Sequence, residues 1–160
     1  AKRDVVLVAK QRAVTLRAAK RYADSLKSFE RAIEISQQLR KEDPTNTLIL
    51  YDIGGTYYDM SQTHFDAGDH AKTLETLKLA QDYCGEVLAK LPAHTQSNKV
   101  IARAHNLAGK THLKLAAKDA ALASFKASQA IYIKLKEENK FAGNDAKTNA
   151  ENEAEIAKLQ

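Results

Sequence analysis

Hydrophobic side chains recur every three or four residues through most of this chain, which is the spacing of one face of an α-helix. Two segments show the pattern most clearly: Leu26, Phe29, Ala32, Ile33 and Leu39 in one, and Leu74, Leu77, Ala80 and Val87 in the other. Polar and charged residues fill most of the positions between them, so each segment should form an amphipathic helix with one buried face. The pattern predicts an all-α fold.

The pattern also repeats along the chain with a period of 48 residues. A shift of this length superposes Pro44 on Pro92, the two prolines of the sequence. It also matches small or apolar residues: Leu26 with Leu74 and Leu122, Phe29 with Leu77 and Phe125, and Val5 with Ile53 and Ile101. Because repeat proteins stack similar units side by side, we expect one domain, residues 1–160, with repeats at about 1–44, 45–92 and 93–140.

Each repeat is predicted to be a hairpin of two helices. The turn and cap signals are Gly68-Asp69, Lys118-Asp119, Thr47 and Ser97. The first hairpin turn, near Lys20, has neither glycine nor proline and is the least defined. The predicted helices span residues 3–20, 23–42, 47–66, 70–90, 97–116 and 120–138. A polar capping helix at about 144–159 follows Gly143, since the last repeat would otherwise leave its apolar face in water.

Composition agrees with helix, because the chain has only two prolines and six glycines. The net charge of +5 is uneven: residues 1–40 hold ten basic and four acidic residues, while residues 137–160 hold three and six. A solvated charged face explains this polarity, and so does attraction of an acidic partner or head-to-tail self-association. The single cysteine, Cys84, excludes an internal disulfide and favours a reducing, cytoplasmic setting.

The localisation stays open because the first residue is alanine, which fits a processed or excised start. No apolar run is long enough to span a bilayer, so no membrane span is expected.

The repeat resembles the tetratricopeptide family, in a long-helix variant with a period of about 48 residues. On second helices the resemblance is carried by Tyr22, Phe29, Ala32 and Pro44, by Leu77, Ala80 and Pro92, and by Ala121 and Phe125. On first helices it is looser and is carried by Tyr57, His105, Gly109, His64 and His112. The resemblance implies a right-handed α-solenoid of three hairpins plus the capping helix, and a non-enzymatic protein-binding role.

Motifs for chemistry are missing from the sequence. It has no nucleophile elbow, no glycine-rich phosphate loop and no His-Glu-x-x-His pair. His105 and His112 lie about 10 Å apart along a helix, too far to share a metal ion. We therefore expect no enzyme activity, no metal and no cofactor, and an inert buried thiol at Cys84. The adjacent Gly54 and Gly55 indicate either close helix packing or a ligand that approaches the backbone.

Family members bind partners with their first helices, which line a concave groove. The residues expected to line such a groove here are Lys10, Val14, Arg17, Tyr51, Gly55, Tyr58, Gln62, Phe65, Arg103, Asn106, Lys110 and Leu113. They would form an aromatic floor with basic walls, suited to a peptide with acidic side chains or a free carboxylate around an apolar anchor. Val14, Asp59 and Leu107 stand where the chaperone-tail clamp of the family needs polar partners, so that ligand is not expected.

The main hypothesis is therefore a protein-protein interaction module with a scaffold or adaptor role. The alternative is a structural protein that self-assembles head to tail through its basic and acidic ends, as a homo-oligomer. Nucleic acid is not expected as a partner, because no recognised motif is present and acidic residues interrupt the basic ones on nearly every helix.

Overall fold

The computed structural model describes residues 2–160, and within this range it contains seven α-helices and no strand. The helices are α1 (Lys2–Ala18), α2 (Tyr22–Glu42), α3 (Thr47–Asp66), α4 (His70–Lys90), α5 (Thr95–Lys114), α6 (Lys118–Glu137) and α7 (Asn144–Leu159). The all-α prediction is confirmed, and every helix end lies within two residues of its predicted position. None of the helices in this range combines the length and apolar character needed to cross a membrane.

Three of the helix starts differ from the predicted capping. Asn46, not Thr47, caps α3, because its side-chain oxygen accepts from the backbone N–H groups of the second and third helical residues. The ring of His94, not Ser97, accepts from the Ser97 N–H at the start of α5. Asp69 caps α4 as expected, but α6 starts after Ala117 without a side-chain cap. At α3, Asn46 and Thr47 are adjacent candidates for the same free N–H groups, and Asn46 is the one in the capping geometry.

The three hairpin turns share one backbone conformation. Lys20, Gly68 and Ala116 occupy equivalent places 48 residues apart, and all three have positive φ angles, of 59°, 80° and 57°. A residue in this left-handed conformation ends the first helix and lets the second begin two residues later. Lys20 therefore makes the turn that the sequence left least defined, although it lacks the conformational freedom of glycine.

Helices pack in chain order. Each helix contacts the next one, and the odd-numbered helices also contact one another in the pairs α1 with α3, α3 with α5, and α5 with α7. Within residues 2–160, no helix backbone comes within 8 Å of a helix more than two places away. The even helices begin at Tyr22, His70 and Lys118, so the 48-residue period is present in the spacing of the helices.

The core is a row of local clusters. Phe29, Ala13 and Met60 join the first three helices, and Phe125 packs with Ala121 and Ile156 to hold α7 on α6. Other clusters centre on contacts between α1 and α2, between α4 and α5, and between α5 and α6. Each cluster joins two or three helices that are consecutive in the chain.

Small residues bring the two helices of a hairpin close together. A methyl group placed on Gly54 would lie 2.8 Å from the Cys84 sulfur and 3.2 Å from the Ala80 carbonyl oxygen, and one on Gly109 would lie 2.7 Å from the Phe125 ring. Gly54 is thus explained by helix packing. Gly55 is different, since the nearest atom to a methyl group there would be the Lys10 Nζ at 3.8 Å.

We expect Gly54→Ala and Gly55→Ala to change stability in opposite directions. Gly54→Ala should lower the free energy of unfolding by about 1–2 kcal/mol, because overpacking against α4 outweighs the better helix propensity of alanine. Gly55→Ala should raise it by about 0.5–1 kcal/mol, because only the propensity changes. Urea unfolding followed by circular dichroism measures both, and equal shifts for the two variants would contradict the close contact.

The hairpin turns give a second expected pair. Ala116→Gly should stabilise the protein by about 0.5 kcal/mol, since it relieves left-handed strain of about 1–2 kcal/mol at some cost in chain entropy. Gly68→Ala should destabilise it by a similar amount. Thermal melts of both variants test this, and destabilisation by Ala116→Gly would show that the turn carries no strain.

Candidate functional site

A polar hollow of about 470 Å³ lies on the face formed by the odd-numbered helices. It opens between α3, α5 and α7. The residues that line it are Tyr58, Asp59, Gln62, Arg103, Asn106, Lys110, Asn144, Lys147, Thr148 and Glu151. Five of these were predicted groove residues, and five were not. The missed ones are Asp59 and the four residues of α7.

Tyr58 is set up as a hydrogen-bond donor to this hollow. The Arg17 guanidinium donates to the Gln62 side-chain oxygen at 2.7 Å, and the Gln62 amide donates to the Tyr58 hydroxyl oxygen at 3.1 Å. This relay occupies the oxygen of the phenol and leaves its O–H to donate. Burial raises the pKa of Tyr58 to about 12, so the proton stays in place at neutral pH. The hollow therefore offers a neutral donor polarised by a cation on α1.

Excess positive charge lies on the α5 side of the hollow. Lys99 Nζ lies 2.6 Å and Arg103 Nη2 lies 3.7 Å from the two oxygens of Asp145, which is buried. Two cations thus share one carboxylate, and the more distant one, Arg103, lines the hollow. Lys147 adds a further positive charge at the rim. This arrangement favours an anionic group in the hollow.

An apolar hollow of about 530 Å³ adjoins the polar one. Phe65, Leu113 and Ala154 supply its apolar surface, and it opens between α3, α5 and α7. Lys110 and Glu151 line both hollows and form an ion pair of 2.7 Å, so the pair is a wall common to the two. A ligand lying along this face would meet a polar site and an apolar site in succession.

Helix α7 completes both hollows, and buried polar contacts hold it in position. Asn152 is fully buried; its oxygen accepts from the Asn106 amide at 2.9 Å, and its own amide donates to the Ser128 hydroxyl at 2.8 Å. The Ser128 hydroxyl donates in turn to the Ala102 carbonyl. Because a buried amide is costly unless paired, these bonds fix the register of α7 against α5 and α6.

Ion pairs connect α1 to α3 at three levels. Basic residues seven positions apart on α1 meet carboxylates seven positions apart on α3: Arg3 with Asp52, Lys10 with Asp59, and Arg17 with Asp66. The sequence contained this signal as two matching seven-residue spacings. The basic walls expected from α1 are consequently neutralised within the protein, which leaves Arg103 of α5 and Lys147 of α7 as the positive charges at the polar hollow.

The predicted groove residues divide into three groups. Tyr58, Gln62, Arg103, Asn106 and Lys110 lie together at the polar hollow, where Asn106 is buried and bonded to Asn152. Phe65 and Leu113 lie at the apolar hollow with Lys110. The remaining predicted residues, Lys10, Val14, Arg17, Tyr51 and Gly55, line neither hollow.

Three of that last group lie elsewhere in the molecule. The Tyr51 ring meets the His94 ring edge-on, with centroids 5.3 Å apart. Val14 and Arg17 line a separate recess with Tyr22 near the first hairpin turn.

Other titratable groups are built into the packing. Cys84 is fully buried, and burial raises the pKa of its thiol to about 11. Burial lowers the pKa of His64 and of His105, which favours the neutral form of both rings. In the described part of the chain, histidine, cysteine and acidic residues form no group of three that could hold a metal ion.

The chain matches no family model, and no curated protein is similar to it in sequence. The tetratricopeptide resemblance therefore depends on the residues named above and on nothing outside this chain.

We expect Asn152→Ala to loosen α7 selectively. The change leaves the Asn106 amide without its acceptor in a buried site, at a cost of about 2 kcal/mol. Hydrogen exchange of the α7 amides should then quicken by about 30-fold while the α3 amides change little. Asn149→Ala is the matched control, because Asn149 donates only within α7, to Glu153. Equal exchange in the two variants would mean that other contacts hold α7.

Proposed function

We propose that this protein is a non-enzymatic recognition module, built as a right-handed tetratricopeptide-like solenoid, that binds an extended segment of a partner protein. The binding face is the one formed by the odd-numbered helices. The preferred segment carries an acidic side chain, or a free carboxylate, close to a large apolar side chain.

The order of helix contacts supports the solenoid. Contacts run from each helix to the next and between successive odd helices, as expected for hairpins stacked in a row. In a closed bundle of this length the first and last helices would meet, whereas α1 and α7 do not approach within residues 2–160.

The observation that carries the function is the pair of adjoining hollows with Lys110 and Glu151 as their common wall. The Tyr58 hydroxyl and Arg103 suit a carboxylate, and Phe65 and Leu113 suit an apolar side chain a short distance along the same segment. Peptide grooves obtain specificity from such alternation of charged and apolar sites.

A displayed library of random peptides tests this proposal. The unmodified protein should enrich sequences with Asp or Glu near a large apolar residue. Tyr58→Phe keeps the ring but removes the donor, so affinity for an enriched peptide should fall by about 10-fold or more. Ala154→Arg fills the apolar hollow and should remove the preference for the apolar side chain. Lys147→Glu should lower the affinity for acidic peptides by about fivefold.

Two control variants carry the same chemical changes on the exposed surface of α6. Ala123→Arg and Lys126→Glu lie outside both hollows and should leave peptide affinity unchanged. Circular dichroism checks that every variant is folded. Enrichment without an acidic or apolar preference, or equal binding by the groove and control variants, would refute this use of the face.

A further inference from the structure

The first hairpin leaves an apolar strip of α1 uncovered. We call Val5, Val8, Ala9 and Arg12 the head strip; it borders a cleft of about 370 Å³ between α1 and α2. Val5 is 52% and Val8 is 69% exposed. These are large exposures for valines on a helix that packs into a core. Both valines lie on α1, at one end of the row of hairpins.

The repeat shows what normally covers this strip. A shift of 48 residues places Val5 on Ile53 and Val8 on Thr56, and both of these residues are fully buried. They lie on the side of α3 that faces α2, since Met60 one turn further along the same side packs against Phe29. The head strip on α1 therefore corresponds to the surface of α3 that α2, the second helix of the preceding hairpin, covers.

At the opposite end of the molecule, α7 carries an exposed strip of three alanines and one glutamate. We call Ala146, Ala150, Glu153 and Ala157 the tail strip; all four are exposed on α7. The same shift places Ala150 on Ala102 and Gly54, and Ala157 on Gly109 and Ser61. Those equivalents are fully buried or nearly so, at the places where the second helix of each hairpin comes closest: Cys84 at Gly54, and Phe125 at Gly109.

The two strips complement each other in size and in charge. Inside the hairpins, small residues on one helix receive larger side chains from its neighbour, and here the tail strip offers alanines while the head strip offers valines. Arg12 and Lys27 line the head cleft, and its one carboxylate, Asp24, is bonded to Arg21. Glu153 belongs to the tail strip, and residues 137–160 around it contain six acidic and three basic residues. Opposite charge at the two ends favours this pairing over like-with-like contacts.

We infer that the head strip of one copy of this protein docks on the tail strip of a second copy. In this contact α1 of one copy packs on α7 of the other copy, at the position that the second helix of a hairpin occupies on the first. The contact uses a different surface on each of the two copies. Each copy that joins therefore leaves its other strip free for the next copy, and the assembly is an open row rather than a closed dimer. The polar and apolar hollows lie on another face, and this inference does not depend on the proposed peptide binding.

Sedimentation velocity over a range from micromolar to millimolar concentration tests the inference. The unmodified chain, of 17.7 kDa, should form progressively larger species as concentration rises. Val8→Glu blocks only the head strip and Ala150→Glu blocks only the tail strip, so each variant alone should stay monomeric. An equal mixture of the two should form dimers and nothing larger, because one intact head and one intact tail remain in the pair. Both positions are exposed, so circular dichroism should report intact folding.

A control and a charge exchange complete the experiment. Ile133→Glu introduces the same charge at an isoleucine of α6 that is 49% exposed, and it should assemble like the unmodified chain. Arg12→Glu and Glu153→Arg should each weaken assembly, and the double variant should restore it. A monomeric unmodified chain at all concentrations would show that another partner or no partner covers the head strip, and it would overturn the inference. Dimers formed by Val8→Glu alone or by Ala150→Glu alone would overturn it as well.

Discussion

Close approach of the two helices within each hairpin is the constraint on which the rest of the structure depends. At Gly54 and Gly109 there is no room for a methyl group, because Cys84 and Phe125 from the facing helix fill the space. A contact this tight fixes the distance and rotation between the helices, and with them the direction in which every other side chain points. Two of the odd-numbered helices, α3 and α5, are positioned in this way against α4 and α6.

That face is not uniform from one end to the other. Three ion pairs join α1 to α3, where they neutralise charges on both helices. Tyr58 and Phe65 pack between α3 and α5 beside Leu107. Buried amides and Asp145 join α5 to α7. The two hollows lie between the aromatic packing of α3 on α5 and the polar packing of α5 on α7. The Tyr58 hydroxyl, which Arg17 reaches through Gln62, and Arg103 line the polar hollow. Ala154 of α7 lines the adjoining apolar hollow.

Helical spacing in the sequence predicted five of the ten residues that line the polar hollow and missed the other five. Tyr58, Gln62 and Arg103 were found because they follow helical spacing and recur with the repeat. The contribution of α7 was missed, because a polar helix with weak apolar content suggests only a cap. Its buried members, Asp145 and Asn152, are polar residues whose burial depends on partners far away in the chain. Local spacing carries no signal for such pairing.

Periodicity together with the turn residues determined the helices, their approximate ends and the 48-residue spacing, because these depend on local hydrogen bonding and on which face of each helix is apolar. Only the tertiary structure decided which charges remain available. Lys10 and Arg17 look like binding residues in the sequence, yet carboxylates on α3 take them up, while Arg103 shares its carboxylate with Lys99. Ion pairing acts over a few ångströms between helices that are dozens of residues apart, so composition along one helix cannot reveal it.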